Sequence, residues 1–173
     1  MKNQALNQLI NFFWTILCFV PVVYYWMENY SAWLYVLILL SAAFAFLPNG
    51  IFSELQLSSN KKFYERLGVK LIQKLVQNGT FANNAIHKND PQYKVIKNRA
   101  QAQNYLSTIA MYEHYHLACF VFFGLTFIHA LYQQQFVLAL LILSADVIYN
   151  VCPILLQQYN KLKVMRVLKL RRD

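Results

Sequence analysis

The chain has 173 residues, of which 58% are hydrophobic and only 13% are charged, and its mean hydropathy is +0.30. A soluble domain would carry roughly 25% charged residues, so this composition argues against a soluble protein and favours an integral membrane protein. The formal net charge of +9 comes without any nucleic-acid recognition motif, so we expect no nucleic-acid partner.

Four apolar segments follow one another along the chain, and we predict each to be a transmembrane helix. They cover residues 9–27, 32–48, 115–132 and 136–156. About 20 helical residues cross a ~30 Å hydrocarbon core, so aromatic residues would have to complete the second and third segments at the level of the headgroups. They are Tyr30 and Trp33 for the second segment and Tyr112 and Tyr115 for the third. The sequence therefore predicts an all-α integral membrane protein, with residues 1–173 forming a single domain.

The distribution of the 16 lysine and arginine residues predicts the orientation. One precedes the first span, nine lie between the second and third spans, and six follow the fourth, whereas the turns at 28–31 and 133–135 contain none. By the positive-inside rule, both termini, the loop 49–112 and the basic tail 157–173 are predicted to be cytoplasmic in a multi-pass protein of the cell membrane. The same basic surface would attract anionic membrane lipids.

The central loop contains a predicted amphipathic helix. Apolar residues recur every four positions between basic ones, at Phe63, Leu67, Leu71 and Leu75. Such a helix is expected to lie in the headgroup plane, with Ser58 or Ser59 as its N-cap and Asn78-Gly79 at its end. Gly68, in its middle, would mark a bend or a close contact.

A second cytoplasmic helix is predicted to begin at Asp90-Pro91 and to run unbroken into the third span. It would carry Glu113 and His116, which share a helix face because they are three residues apart. A carboxylate beside an imidazole fixes the tautomer of the ring and raises its basicity. The pair therefore suits a general base that takes a proton from a hydroxyl group.

The same spacing has other interpretations. The simplest is an interfacial Glu and His that are satisfied by water and headgroups, and we expect His114 to lie on the surface. Di-iron bundles also use Glu-x-x-His, but they need a second such motif and further carboxylates, which this chain lacks. We therefore predict no metal and no cofactor, with a metal-dependent lipid-modifying enzyme as an alternative.

The fourth span carries a polar stripe. At 100° per residue, four side chains fall within about 60° of one another, and they are Asp146, Asn150, Gln157 and Lys161. Asp146 lies near the midplane of the predicted span, where an ionised group costs at least ~2.5 kcal/mol, so it should face the bundle interior. There it could either serve function or join helices through a hydrogen bond. Pro153 removes a backbone hydrogen bond and is expected to kink the helix.

A short turn joins the third and fourth spans, which are therefore expected to be antiparallel neighbours. Asn150 and Gln157 would then lie at depths that Glu113 and His116 can reach. The sequence predicts a small polar pocket at the inner leaflet.

The last segment, NVCPILLQQYNKLKVMRVLKLRRD, resembles the C-terminal signature of the glycosyl-diaponeurosporenoate acyltransferases, which are carotenoid-tailoring membrane enzymes of staphyloxanthin-type pathways. The residues that match in register are Asn150, Gln157, Tyr159 and Asn160. Glu113 and His116 match the Glu-x-x-His of the family. The upstream segment YERLGVKLIQKLVQNGTF is similar through Glu65, Gly68, Lys74, Leu75, Gly79 and Phe81. The chain departs from the family pattern at Gln158 and Lys161, where the family has arginine.

The resemblance implies a membrane acyltransferase that moves a fatty acyl group onto a hydroxyl of a membrane lipid or glycolipid, such as a carotenoid glycoside. His116 would be the general base, oriented by Glu113, while Asn150 and Gln157 would bind the acceptor or the developing oxyanion. The remaining candidate substrate-binding residues are Tyr159, Asn160, Lys161 and Arg66.

The implied acyl donor is acyl-CoA or an acyl carrier protein, whose phosphates or acidic surface would be attracted by Lys161, Lys163 and Arg66. No Gly-x-Ser-x-Gly elbow is present, so direct transfer is expected rather than an acyl-enzyme. The alternative from another class is a non-enzymatic small subunit or assembly factor of a larger membrane complex, with membrane-protein partners.

Overall fold

The computed structural model describes residues 2–76 and 98–170 of the chain. Within those ranges the chain consists of helices and short connections and contains no strand, which confirms the all-α prediction. The elements in chain order are α1 (Lys2–Glu28), α2 (Trp33–Ala43), a 3-10 turn (Phe44–Phe46), α3 (Asn49–Glu54), α4 (Lys61–Arg66), α5 (Val69–Leu75), α6 (Arg99–Tyr132), α7 (Phe136–Asp146), a π-helical turn (Val147–Val151) and α8 (Cys152–Leu170).

Three helical segments of the described chain are long and apolar enough to cross a membrane. They are Asn7–Glu28, Arg99–Tyr132 and Phe136–Arg166. The second predicted span is shorter, because Trp33–Phe46 rises only ~21 Å against a ~30 Å hydrocarbon core. Its helix stops where Leu47 adopts an extended conformation before Pro48, a residue that disfavours helix in its predecessor. The prediction of four spanning helices is thus supported for three and corrected to a short apolar helix for the other.

The short apolar helix nevertheless runs along a large part of α6. At one end, the side chains of Asn29 and Gln135 are hydrogen-bonded, which joins the turn before α2 to the turn between α6 and α7. At the other end, the carbonyl of Leu47 lies 2.8 Å from Nε2 of His114. His114 and Tyr132 are separated by ~27 Å of helix rise. The chain therefore returns from the turn end of the bundle to the level of His114.

The two longest rods extend beyond the thickness of a bilayer core. A helix of 34 residues such as α6 is about 51 Å long, and the rod formed by α7, the π turn and α8 is similar. The 133–135 turn joins them at one end, and both rods are about 20 Å longer than a ~30 Å hydrocarbon core. The helices α4 and α5 pack onto α8 through a buried cluster of Tyr64, Val69, Leu156 and Tyr159.

The predicted amphipathic helix is two short helices, α4 and α5. Gly68 separates them and has a φ of +81°, a left-handed conformation that other residues adopt only with strain. The N-cap of α4 is Asn60, whose side chain accepts a hydrogen bond from the Lys62 amide, and not Ser58 or Ser59. The predicted C-terminal end at Asn78-Gly79 lies outside the described residues.

The helix that enters the third span begins at Arg99. Asn98 has an extended backbone and caps it by accepting a 2.8 Å hydrogen bond from the amide of Gln101. The predicted start at Asp90-Pro91 lies outside the described residues, but a helix running unbroken from there into the span is wrong, because Asn98 interrupts it.

Candidate active site in the polar half of the bundle

The rod that follows the 133–135 turn contains a π-helical turn at the depth of the predicted polar stripe. The amide of Cys152 donates to the carbonyl of Val147, five residues earlier, and Pro153 has no amide hydrogen to donate. π turns inside α-helices are frequent at functional sites. Instead of the simple kink expected at Pro153, the helix contains one extra residue in the turn before it. The rotation of 100° per residue used in the sequence analysis therefore does not hold across Val147–Val151.

A buried chain of three polar side chains crosses from this rod to α6. Nδ2 of Asn150 donates a 2.8 Å hydrogen bond to Oδ1 of Asp146, and Oδ1 of Asn150 lies 3.4 Å from Nδ1 of His116. The exposed fractions of Asn150 and Asp146 are only 0% and 2%. The predicted meeting of His116 with Asn150 is therefore present, and Asp146 faces the interior as expected.

Glu113 lies one helical turn before His116 and has a different partner. Its Oε2 is 3.5 Å from Nζ of Lys161, and the carboxylate is almost fully buried, with 3% exposure. Within residues 2–76 and 98–170, neither carboxylate oxygen has a hydrogen-bond partner. A buried carboxylate normally accepts several hydrogen bonds, so this one has unused acceptor capacity.

The expectation that Glu113 orients His116 is not met, since Glu113 makes no hydrogen bond to it. Residues three apart on a helix differ by about 60° in direction and ~4.5 Å in height. The ring turns toward Asn150, while the carboxylate meets the ammonium group of Lys161. Asn150, rather than Glu113, is the side chain that can fix the tautomer of the imidazole.

The other predicted site residues differ in burial and in hydrogen bonding. Gln157 and Asn160 are half-buried, and in the described part of the chain no hydrogen bond engages either side chain. Tyr159 is buried in the α4–α5–α8 cluster and donates a 3.2 Å hydrogen bond to Glu65. Arg66 is exposed on α4 and contacts none of the other candidates through a described ion pair. The structure thus joins Glu113 to Lys161 and His116 to Asn150, and it does not bring Arg66 or Tyr159 to either pair.

Gln158 organises the polar half of the bundle, which comprises α6 before Phe123, the rod from Asp146 onward and the elements packed on them. The sequence did not predict this role. Its Oε1 accepts hydrogen bonds from the amide of Leu57 and the hydroxyl of Tyr64, and its Nε2 donates to the carbonyl of Leu55. Gln158 therefore fastens the segment between α3 and α4 to α8. The signal was visible in the sequence, because an amide stands at a position where the resembling family has arginine.

A row of hydroxyl groups beside His116 was also missed. Tyr149 lies 3.0 Å from Tyr115 and 3.0 Å from Thr15, oxygen to oxygen. The rings of both tyrosines also contact His116 edge-on. Tyr115 was expected only to anchor the end of a span at the headgroups. The polar half therefore receives side chains from α1, α6 and the π turn.

Two histidines lie elsewhere than the catalytic candidate. His114 was predicted to be on the surface but is half-buried, stacked on Phe52 with 4.0 Å between ring centres. His129 lies near the turn end, where Nδ1 is hydrogen-bonded to the hydroxyl of Tyr25. In the described part of the chain, no group of three or more His, Cys, Asp and Glu side chains is arranged to hold a metal ion.

Electrostatics outside the candidate spans favours a charged Glu65. Its Oε2 is 3.1 Å from Nζ of Lys70, and hydrogen bonding to that ammonium is the main cause that lowers the pKa of Glu65 below its usual value. The neighbouring Tyr64 is fully buried, and this burial raises the pKa of its hydroxyl. Glu65 is thus an ionised acceptor for Tyr159 at neutral pH, and Tyr64 a neutral donor for Gln158.

Comparison with known proteins identifies a matching family. The family described as CrtO, glycosyl-4,4'-diaponeurosporenoate acyltransferase, matches residues 48–170, about 70% of the chain. No curated protein and no solved structure matches. The matched region begins after the short apolar helix and includes both pairs, Glu113–Lys161 and His116–Asn150.

Proposed function

Because the chain belongs to the glycosyl-4,4'-diaponeurosporenoate acyltransferase family, we propose that it transfers a fatty acyl group to a hydroxyl of a glycolipid acceptor in the membrane. The acceptor class is a carotenoid glycoside or a similar glycosylated lipid, as the family description suggests. The donor is an acyl thioester, either acyl-CoA or an acyl carrier protein. The three long apolar helices are consistent with a protein that meets such an acceptor within the bilayer.

The observation that carries the proposal is the pair of buried contacts on adjacent turns of α6. His116 faces an amide oxygen at 3.4 Å, and one turn away Glu113 is buried with no hydrogen bond from the described residues. An imidazole with one nitrogen engaged can use its other nitrogen as a base, and a carboxylate with free acceptor positions can bind hydroxyl groups. These are the two requirements for holding an alcohol and removing its proton.

The proposed reaction is a direct transfer. His116 takes the proton of the acceptor hydroxyl while the hydroxyl oxygen attacks the carbonyl carbon of the thioester. The tetrahedral intermediate then expels the thiolate, which receives the proton from the imidazolium. An ester bond forms and a thioester bond breaks, and His116 returns to its neutral state.

The amide of Gln157 and the ammonium of Lys161 are the proposed stabilisers of the oxyanion. Gln157 precedes Lys161 by one helical turn, and its side chain has no hydrogen bond within the described residues. Donors held in a water-poor site are worth about 10²- to 10³-fold in rate when aimed at the developing charge. Asn160 extends this face, whereas the role proposed for Tyr159 is to hold α4 and α5 in place.

The donor is proposed to approach from the cytoplasm along the basic residues that follow the site. In this topology both termini and the basic segments face the cytoplasm, following the positive-inside rule. Lys163 and the exposed Arg66 would attract the phosphates of CoA or an acidic acyl carrier, together with anionic headgroups. Such attraction raises the rate of encounter and depends on ionic strength.

Comparative lipid analysis tests the proposal. Cells that produce the protein should contain an acylated glycolipid that is missing from cells without it, and the double variant Glu113→Ala with His116→Ala should lack that species at unchanged protein abundance. If the double variant restores the lipid fully, the catalytic assignment is wrong. If no lipid species differs and stoichiometric partners persist through purification in mild detergent, the chain is instead a subunit of a larger complex.

A further inference from the structure

We propose that Asp146 is a positioning residue that acts through Asn150 and holds His116 in the tautomer with its proton on Nδ1. The inference rests on the proposed function only for its consequence in catalysis. The arrangement itself is a chain of two contacts, Asp146 to Asn150 at 2.8 Å and Asn150 to His116 at 3.4 Å. Asp146 and Asn150 lie on the rod after the turn, and His116 lies on α6.

The direction of the chain follows from the chemistry of the groups. Nδ2 of Asn150 donates to Oδ1 of Asp146, so the Asn150 amide presents its NH₂ group to the carboxyl group. Its carbonyl oxygen then faces His116. An amide oxygen can only accept, so Nδ1 of the ring must carry a hydrogen, and Nε2 of the neutral ring keeps the lone pair that a base needs.

Burial makes this orientation costly to reverse. Asn150 is fully buried and Asp146 nearly so, which leaves little water to satisfy a rotated amide. If the amide turned over, its oxygen would face the carboxylate and its NH₂ group would face Nδ1. The ring would then need the opposite tautomer, with its proton on Nε2, and could no longer accept a proton there.

A purely structural role for Asp146 explains the geometry less well. An intramembrane Asp that joins helices would bond to a neighbouring helix, whereas the hydrogen-bond partner of Asp146 among the described residues is Asn150, four residues away on the same rod. The contact that crosses between rods is the one between Asn150 and His116. Asp146 therefore orients Asn150 for its contact with His116, much as carboxylates orient the histidines of other sites.

Nitrogen NMR of ¹⁵N-histidine-labelled protein in detergent micelles at alkaline pH tests the proposal, because the two neutral tautomers have distinct ring-nitrogen shifts. Among the four histidines, the His116 signal is assigned by its loss in His116→Gln. Wild type should show the proton on Nδ1. Asp146→Asn keeps the side-chain volume but can present either NH₂ or oxygen to Asn150, so the His116 signal should become a mixture of both tautomers.

The swapped variant Asp146→Asn with Asn150→Asp provides a rescue. The amide introduced at position 146 can donate to the carboxylate introduced at position 150, whose other oxygen accepts from Nδ1, so the wild-type tautomer should return. The matched control is Ser144→Ala, because Ser144 is exposed on the same helix and, among the described residues, its hydroxyl donates to the backbone carbonyl of Leu140 one turn earlier. The control should leave the His116 signal unchanged.

Activity supplies the second readout. Asp146→Asn should lower kcat by about tenfold with KM unchanged, within the ~10²- to 10⁴-fold that general-base catalysis supplies, and the swap should recover most of it. A wild-type proton on Nε2, or a folded Asp146→Asn variant with an unchanged tautomer, would overturn the proposal. If the tautomers behave as expected but wild type acylates no lipid, positioning by Asp146 stands and the proposed function fails.

Discussion

The two halves of the bundle use the same pair of rods in different ways. In the turn half, between the 133–135 turn and Phe123, small and aromatic residues pack closely, and two pairs of polar side chains are hydrogen-bonded: Trp26 donates to Thr126, and Asn29 bonds Gln135. In the polar half, Glu113 is buried without a hydrogen bond from the described residues. Among the described residues, the turn half leaves one neutral hydroxyl, Ser31 Oγ, buried without a hydrogen-bond partner, whereas the polar half leaves both oxygens of a carboxyl group so.

This difference indicates which part of an apolar helical protein is suited to binding or catalysis. Both halves contain a histidine on α6, and both histidines contact a tyrosine ring. His129 is hydrogen-bonded to Tyr25 beside a packed aromatic cluster, whereas His116 is connected to a chain of polar groups next to an unsatisfied carboxylate. The residue type is the same in both halves, so the groups around each histidine indicate whether its role is structural or chemical.

Substitutions of the two histidines should give the largest difference between the two halves. His116→Ala should reduce the transfer rate per folded molecule by about 10²- to 10⁴-fold, because it removes the proposed base. His129→Ala should leave that rate within about twofold and instead reduce thermal stability, because it leaves Tyr25 without its hydrogen-bond partner. Rates from purified protein with an acyl thioester, normalised to folded protein, check both. Equal losses in the two variants would contradict the division into halves.

The Glu113–Lys161 pair should have the next largest effect, on stability. Lys161→Met leaves a buried carboxylate without its counter-charge and should lower the free energy of unfolding by about 3 kcal/mol. Adding Glu113→Leu should recover that loss or more, since an apolar pair of similar size avoids the desolvation penalty. Thermal melting in detergent measures both variants. A double variant less stable than wild type would show that the pair is a net stabiliser of the fold.

Two adjacent glutamines, Gln157 and Gln158, should differ in their effect on the stability of the polar half. Gln158→Leu removes three hydrogen bonds that hold Leu55, Leu57 and Tyr64, so local stability of this segment should fall by about 1–3 kcal/mol. Hydrogen exchange of residues 53–76 should rise accordingly. Gln157→Leu, the matched control, should leave that exchange unchanged, since its side chain makes no described hydrogen bond to the segment. Similar exchange in both variants would mean that Gln158 does not fasten it.

The smallest expected effect is a pH dependence at Glu65. Because Lys70 holds the folded-state pKa of Glu65 below its usual value, the stabilising contribution is present above the unfolded pKa of ~4.3 and is lost as pH falls through the lower folded value. Exchange of α4 and α5, corrected for the intrinsic rate, should therefore increase slightly in acid. Glu65→Gln should abolish this pH dependence. A dependence that persists in Glu65→Gln would assign it to another group.

Much of the fold could be predicted from composition and periodicity. The apolar runs at 9–27 and 136–156 correspond to helices, and Gly68 marks a break in the loop helix. The limits were wrong where local and tertiary effects compete. Pro48 ended the second apolar helix earlier than hydropathy suggested, and the cap at Asn98 lies within a sequence that has no apolar periodicity to signal it.

The sequence predicted that the site residues lie close together, but it did not predict which side chains pair with one another. Antiparallel rods required His116 to approach Asn150, and this contact is present. Spacing alone could not reveal that Glu113 pairs with Lys161, because the π turn shifts every later residue around the rod. Gln158 and Tyr64 meet through a loop, and helical periodicity carries no information about contacts of that kind.

The π turn at Val147–Val151 also has a consequence for how this chain can change over evolutionary time. One residue more than an α-helical turn requires is accommodated there, so loss of a single codon in that stretch would restore a regular helix and leave the direction of Lys161 toward Glu113 nearly unchanged. The half nearest the short hairpin would keep its packing. A single-residue deletion within Val147–Val151 should therefore preserve the Glu113–Lys161 pair better than one in the regular helix between Cys152 and Lys161, which would rotate Lys161 by about 100°.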